Sequence, residues 1–179
     1  VCEFNKRWVI ENVGIPAEKI KVVYNGIDTD YFRPLLVPRD PYLVGTIARV
    51  YDIKNIKDFI KAAKYLPDIK FVVVGKAVDE SINGLKTISS PNVKFTGFLP
   101  EEKLIEYYQK AKVYCQLSRY EGLPNALCEA MLCGCVPVGT KYCGIPTAIG
   151  DTGFYVPYGD PKATAEAIRK ALSSDNGKK

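Results

Sequence analysis

The chain has 179 residues, 47% of them hydrophobic and 25% charged, with 25 basic against 20 acidic side chains and a formal net charge of +5. That balance suits one folded domain and excludes a disordered tail, a collagen-like repeat and a coiled coil. With no His in the chain, a Ser-His-Asp triad, a Cys-His pair and an imidazole metal site are excluded for these residues alone.

Residues 1–41 read as a connecting segment: a helical opening, a strand at about 20–24, then a Pro-bearing loop from Asn25 to Pro41. The segment 42–179 reads as one α/β domain. Tyr42 to Ala48 is a short apolar run with the look of a buried strand, and 55–65 place Ile56, Phe59, Ile60 and Ala63 at helical spacing. Lys70 to Gly75 is a β-branched strand ending in Gly; a looser helix follows at about 79–87, then a short strand over Val93 to Thr96. Pro100 opens a helix with Glu101 and Glu102 in its first turn, where carboxylates suit the helix dipole. A strand from Lys112 to Leu117, a helix over 124–133 and a strand from Cys135 to Val138 continue the pattern. A last strand at 153–156 and a helix from Pro161 to Leu172 close it.

Strand alternating with helix predicts βαβ units, hence a parallel sheet with helices on both faces. Ligands of such sheets bind beyond the carboxyl ends of the strands. The loops after Ala48, Gly75, Thr96, Leu117 and Gly139 are therefore the expected site.

Two of these loops carry chemistry. In Ser118-Arg119-Tyr120-Glu121-Gly122-Leu123-Pro124-Asn125, a carboxylate and a glycine precede a helix start, whose unpaired amides attract anions. Glu129 lies on that helix, seven residues beyond Glu121. Two carboxylates so placed can address two parts of a ligand whose phosphates sit between them; the plainer readings are a capping carboxylate and a helix-surface one. The loop after the first sheet strand holds Arg49 and Lys54, a phosphate clamp and a point charge if they face the same crevice, or else an ordinary exposed loop.

Other patterns point elsewhere or nowhere. There is no G-x-G-x-x-G after a strand and no G-x-x-x-x-G-K-[ST]. Asp28-Thr29-Asp30 has the shape of a metal-binding DxD but follows Asn25-Gly26 and reads as an Asx-capped turn. The six cysteines lack zinc-knuckle spacing and read as free buried thiols of a reducing compartment. The basic residues are too scattered for nucleic acid.

The segment S-R-Y-E-G-L-P-N-A-L-C-E-A-M-L-C-G-C-V-P-V, residues 118–138, resembles the E-x7-E region of retaining glycosyltransferases of family four, which have the GT-B fold. Val22 to Asp28 with Phe32-Arg33-Pro34, Ala48-Arg49 to Lys54, Val93 to Pro100, Gly144-Ile145-Pro146 and Asp151 to Phe154 resemble further motifs of that family in the same order, over about residues 15 to 172. The resemblance implies one Rossmann-like half of a GT-B enzyme that binds the nucleotide diphosphate of a sugar donor without metal or other cofactor.

It implies that Arg49 and Lys54 hold the diphosphate, with the backbone of Gly122, Leu123, Pro124 and Asn125 adding to the anion site. Glu129 would take the ribose and Glu121 the transferred sugar, while Gly97 and Phe98 would meet the base. Ala48 stands where the family often has Gly, as does Asn55; Thr147 stands where many members have Glu, and Cys143-Gly144 replaces a frequent Gly-Gly.

The donor expected from the family is a hexose, mannose from GDP-mannose first, for a glycan or lipid-linked acceptor in the cytoplasm. A chain that opens on Val1 at this length reads as a trimmed piece that binds donor but does not transfer sugar by itself. An N-terminal half would supply the acceptor site and any membrane association. The alternative is a non-catalytic nucleotide-binding module on the same fold.

Overall fold

The computed structural model describes residues 2–35, 38–48, 50, 52–76 and 81–174. Helix α1 (Glu3–Val13) ends at Gly14, whose φ of 77° places it in the left-handed region that lets the chain leave the helix. Residues 20–28 then run without regular structure, so the strand expected at about 20–24 does not form. Val23 and Tyr24 there are exposed, and among the described residues the six-stranded ladder does not include the segment. An apolar run becomes a strand only where a neighbour takes its backbone hydrogen bonds.

The rest alternates as expected: β1 (Asp40–Ile47), α2 (Ile56–Ala63), β2 (Lys70–Val74), α3 (Ser81–Ile88), β3 (Val93–Gly97), α4 (Glu101–Lys110), β4 (Ala111–Gln116), α5 (Asn125–Leu132), β5 (Val136–Thr140), α6 (Ile145–Ile149), β6 (Phe154–Val156) and α7 (Pro161–Ser173). Helix α6 has no counterpart in the sequence reading. It is five residues long, too short to show helical periodicity.

All six strands pair in parallel, in the order β3-β2-β1-β4-β5-β6. The order reverses between β1 and β4, the switch point at whose carboxyl edge such sheets form their ligand crevice.

Each face of the sheet has its own apolar layer. On one, Phe59 and Ile60 of α2 and Ile168 and Ala171 of α7 cover Phe71, Val73, Val113 and Val138. Phe59 and Phe71 meet edge to face with ring centroids 5.0 Å apart, and full burial of such a side chain is worth about 1.5–3 kcal/mol. On the other, Tyr108 of α4, Leu127 of α5 and Ile145 and Ile149 of α6 cover Val72, Val74 and Tyr114.

Polar side chains fasten the helix ends. Asp160 caps α7 by accepting from the Ala163 amide at 2.9 Å, with Pro161 at the first helical position. Asn92 donates to the carbonyls of Ala63, Leu66 and Ile69 and so closes the end of α2. Arg39 donates to the carbonyls of Ala111 and Cys133, at the C-terminal ends of α4 and α5, where a cation suits the helix dipoles.

All six cysteines are free thiols. Burial pushes the Cys135 thiol up to about 12 and that of Cys133 to about 11, so both stay protonated and pack as small apolar groups. Among the described residues no helix is long and apolar enough to cross a membrane.

Candidate functional site

The crevice between β1 and β4 brings together residues far apart in the chain. After β1 the chain makes a 3₁₀ turn, Asp52–Lys54, and enters α2 through Asn55. Asn55 has a φ of 52°, in the left-handed region. Asn tolerates that conformation better than most residues with a Cβ, which is why it can stand where the family often has Gly. After β4 the chain passes through Leu117 and Ser118, both buried, to Glu121. The Arg119 amide donates to the Ile53 carbonyl at 2.9 Å and fastens the two loops at the backbone.

At that junction Lys54 Nζ lies 2.6 Å from Glu121 Oε1, with only 18% and 12% of the two side chains exposed. The same oxygen accepts from Gln116 Nε2 at 2.8 Å and Ser118 Oγ at 2.7 Å. Three donors on one carboxylate oxygen hold Glu121 in a single orientation. Sequence reasoning missed Gln116 and Ser118. Their even spacing at the end of a strand puts them on one side of the chain, but only the return of Glu121 gives them a shared acceptor. Tyr114 extends the network: its hydroxyl lies 3.3 Å from Gln116 Oε1 and donates to the Ile47 carbonyl at 3.1 Å.

The helix start expected at Pro124 is displaced by one residue. Pro124 is the N-cap and Asn125 the first helical residue. Leu127 and Cys128 make the first bonds back, both to the Pro124 carbonyl, so the amides of Asn125 and Ala126 lie at the open end, where an anion is favoured. Asn25 Nδ2 donates to Asn125 Oδ1 at 3.0 Å and lays the Asn25-Gly26 segment against this helix end. Gly122 and Leu123 are half-buried. The Gly122 carbonyl lies against Gly144, where a Cβ would come within 1.4 Å of it.

Glu129 sits on α5 and accepts from the Tyr108 hydroxyl at 2.8 Å. Burial raises its carboxyl above the ordinary range, the Tyr108 hydrogen bond opposes the rise, and the charge of Glu101 adds to it. Gly97 and Phe98 stand at the carboxyl end of β3, two strands from β1. Gly97 has a φ of 74°, and Phe98 is 73% exposed, an aromatic face open to solvent. Arg49 lies outside the described residues. Asp28 forms an Asx turn, its Oδ1 accepting from the amides of Asp30 and Tyr31. No group of three or more His, Cys, Asp or Glu among the described residues is arranged to hold a metal ion.

Because folding raises the Glu129 pKa, the carboxylate's penalty grows as pH climbs from the unfolded value through the folded one, and is full above the latter. Glu129→Gln should therefore raise stability at pH 7, with the gain absent near pH 3, where the group is protonated in both states. Denaturation curves at the two pH values check this; a variant less stable at pH 7 would contradict it. If Glu129 meets a ligand hydroxyl, the same variant binds that ligand about tenfold more weakly.

A parallel sheet in this order with helices on both faces is the Rossmann-like arrangement, and it matches one half of a GT-B glycosyltransferase. The family model for "Glycosyl transferases group 1" matches residues 28–179, and the chain belongs to that family. It is 30% identical over 175 residues to the amylovoran biosynthesis glycosyltransferase AmsK of Erwinia amylovora, an alignment covering 87% of this chain and 42% of that protein. The crystal structure of Anabaena Alr3699/HepE in complex with UDP and glucose superposes with a TM-score of 0.84 at 23% identity, over 94% of this chain and 51% of that one. That of the C-terminal domain of the group 1 protein LpcC from Francisella tularensis superposes at 0.72 and 22% identity, over 83% of this chain and 89% of that domain. The chain thus spans about half the length of relatives such as AmsK, and nearly the whole of a C-terminal domain crystallised alone.

Proposed function

We propose that this chain is the donor-binding C-terminal half of a retaining glycosyltransferase that moves a hexose from a nucleotide diphosphate without a metal ion. The observation that carries the reading is the Lys54–Glu121 pair, held by Gln116 and Ser118 at the switch point. Lys54, with Arg49, takes the diphosphate and stabilises its charge as the bond from the sugar's anomeric carbon to the phosphate oxygen breaks. The backbone from Gly122 to Asn125 receives the same phosphates. Glu121 accepts from the sugar's hydroxyls, Glu129 from the ribose, and the base lies toward Gly97 and Phe98. The acceptor's oxygen then bonds to the anomeric carbon on the face the diphosphate leaves, its proton passing to a base outside this half.

The first donor to test is GDP-mannose, on the family resemblance. UDP-glucose stands beside it because HepE was crystallised with UDP and glucose. Calorimetric titration of the chain with both, and with ADP-glucose, should show binding to one of them and no glycosyl transfer by the chain alone. No binding to any of the three overturns the donor-binding reading. Equal affinity for the sugar nucleotide and its parent diphosphate, unmoved by Glu121→Ala, favours a non-catalytic nucleotide-binding module.

A further inference from the structure

Asp58, in the first turn of α2, is buried at 7% exposure of the residue, and its Oδ2 takes two hydrogen bonds. One comes from Asn55 Nδ2 at 2.6 Å, three residues back; the other comes from the Gly159 amide at 2.8 Å, 101 residues on. Gly159 belongs to the turn between β6 and α7, with a φ of 82°. The neighbouring Tyr158 ring meets Tyr142 edge to face at 6.0 Å and lies 6.0 Å below the Arg119 guanidinium. Arg119 is the residue whose amide bonds to Ile53, beside Lys54. The contacts therefore close a ring: Lys54, Asn55, Asp58, Gly159, Tyr158, Arg119, Ile53 and back to Lys54.

Within this ring Asp58 does two jobs. A buried carboxylate must be satisfied, and it is satisfied by fixing the Asn55 side chain and the turn amide together. Asn55 is the residue whose left-handed backbone sets the direction of the chain leaving Lys54. The partial positive charge of the α2 N-terminus favours a carboxylate at this position.

We infer that Asp58 is a positioning residue for the anion site: it ties the β6–α7 turn to the start of α2 and so aims Lys54 at the crevice. The inference rests on the donor-binding reading above. A carboxylate that only anchored a turn would affect stability, whereas one that aims Lys54 affects the discrimination between one phosphate and two.

The test is Asp58→Ala in the 179-residue chain, which removes the oxygen that accepts both bonds. Affinities for UDP, UMP, GDP and GMP are measured by calorimetry, and amide hydrogen exchange is followed at Gly159 and Arg119. With the base that the wild type binds, the diphosphate loses about fivefold to tenfold in affinity while the monophosphate stays within about twofold. Exchange accelerates at both amides. An unchanged preference for diphosphate over monophosphate overturns the inference, even if Gly159 exchanges faster.

Should the variant not fold, the wild type decides: saturation with the diphosphate shifts the Gly159 amide resonance, and a Gly159 signal unmoved by saturation overturns the proposal. Wild-type chain that binds none of the four nucleotides sinks the donor reading and this inference with it. The exchange coupling between Gly159 and Arg119, which needs no ligand, shows in that case whether the ring itself exists.

Discussion

Replacing Lys54 by Ala should weaken binding of a nucleoside diphosphate by about 10- to 100-fold, the worth of a charge-assisted contact at a partly desolvated site. Glu121→Gln should act in the opposite sense on the diphosphate alone. The Lys54 ammonium is engaged by Glu121 at 2.6 Å, so an incoming phosphate competes with the carboxylate and is repelled by it. A neutral amide at 121 removes both effects, and affinity for UDP or GDP rises by about threefold to tenfold. The corresponding sugar nucleotide gains less or loses, because the carboxylate that would accept from the sugar hydroxyls is gone. The double variant should bind diphosphate no more tightly than Lys54→Ala does, since the gain from Glu121→Gln depends on freeing Lys54. Calorimetry on the four proteins closes the cycle. A Glu121→Gln variant that binds diphosphate more weakly than wild type would show that the pair does not compete with the ligand.

Gly144→Ala should be strongly destabilising. Gly144 has an ordinary φ of −86°, so the cost is steric: the added Cβ would lie 1.4 Å from the Gly122 oxygen and 2.5 Å from its carbonyl carbon. The β4–α5 and β5–α6 loops would have to separate, breaking the bond from the Gly144 amide to the Glu121 carbonyl at 3.2 Å. A destabilisation of about 3 kcal/mol is expected, at the upper end for overpacking, together with loss of nucleotide binding. Gly84→Ala is the control: it lies within α3 with nothing inside 4 Å of the added atom, and should stabilise by about 0.5–1 kcal/mol through helix propensity. Chemical denaturation of both variants measures the two signs. A Gly144→Ala chain as stable as wild type would mean that the two loops are not in contact.

Much of the fold was legible from period and punctuation. The run Lys70 to Gly75 could be little but a buried strand, and Ile56, Phe59, Ile60 and Ala63 could share a face only in a helix. The misplaced strand at about 20–24 shows the limit: Val22, Val23 and Tyr24 have the composition of a strand, but pairing is a property of a neighbour. Helix α6 escaped because a single turn and a half carries no period.

For the site, residue type and motif spacing singled out Lys54, Glu121 and Glu129, since cations, carboxylates and a glycine before a helix start are local signals. Gln116, Ser118 and Tyr108 carry no such signal. Gln116 and Ser118 became visible only through their shared acceptor Glu121, five and three residues on, and Tyr108 through Glu129 on another helix.

What the sequence determined by itself was the alternation of strand and helix, the parallel sheet it entails, and the set of loops that could carry chemistry. Hydrophobic period, β-branched runs and caps are local, and they need no knowledge of the neighbours. The tertiary structure alone decided which loops meet. Lys54 and Glu121 are 67 positions apart, and they touch because β1 and β4 are adjacent at the point where the strand order reverses. Asn25 reaches Asn125 across 100 positions and Gly159 reaches Asp58 across 101. Such pairs are set by strand order and crossover packing, which arise from the burial of the whole sheet.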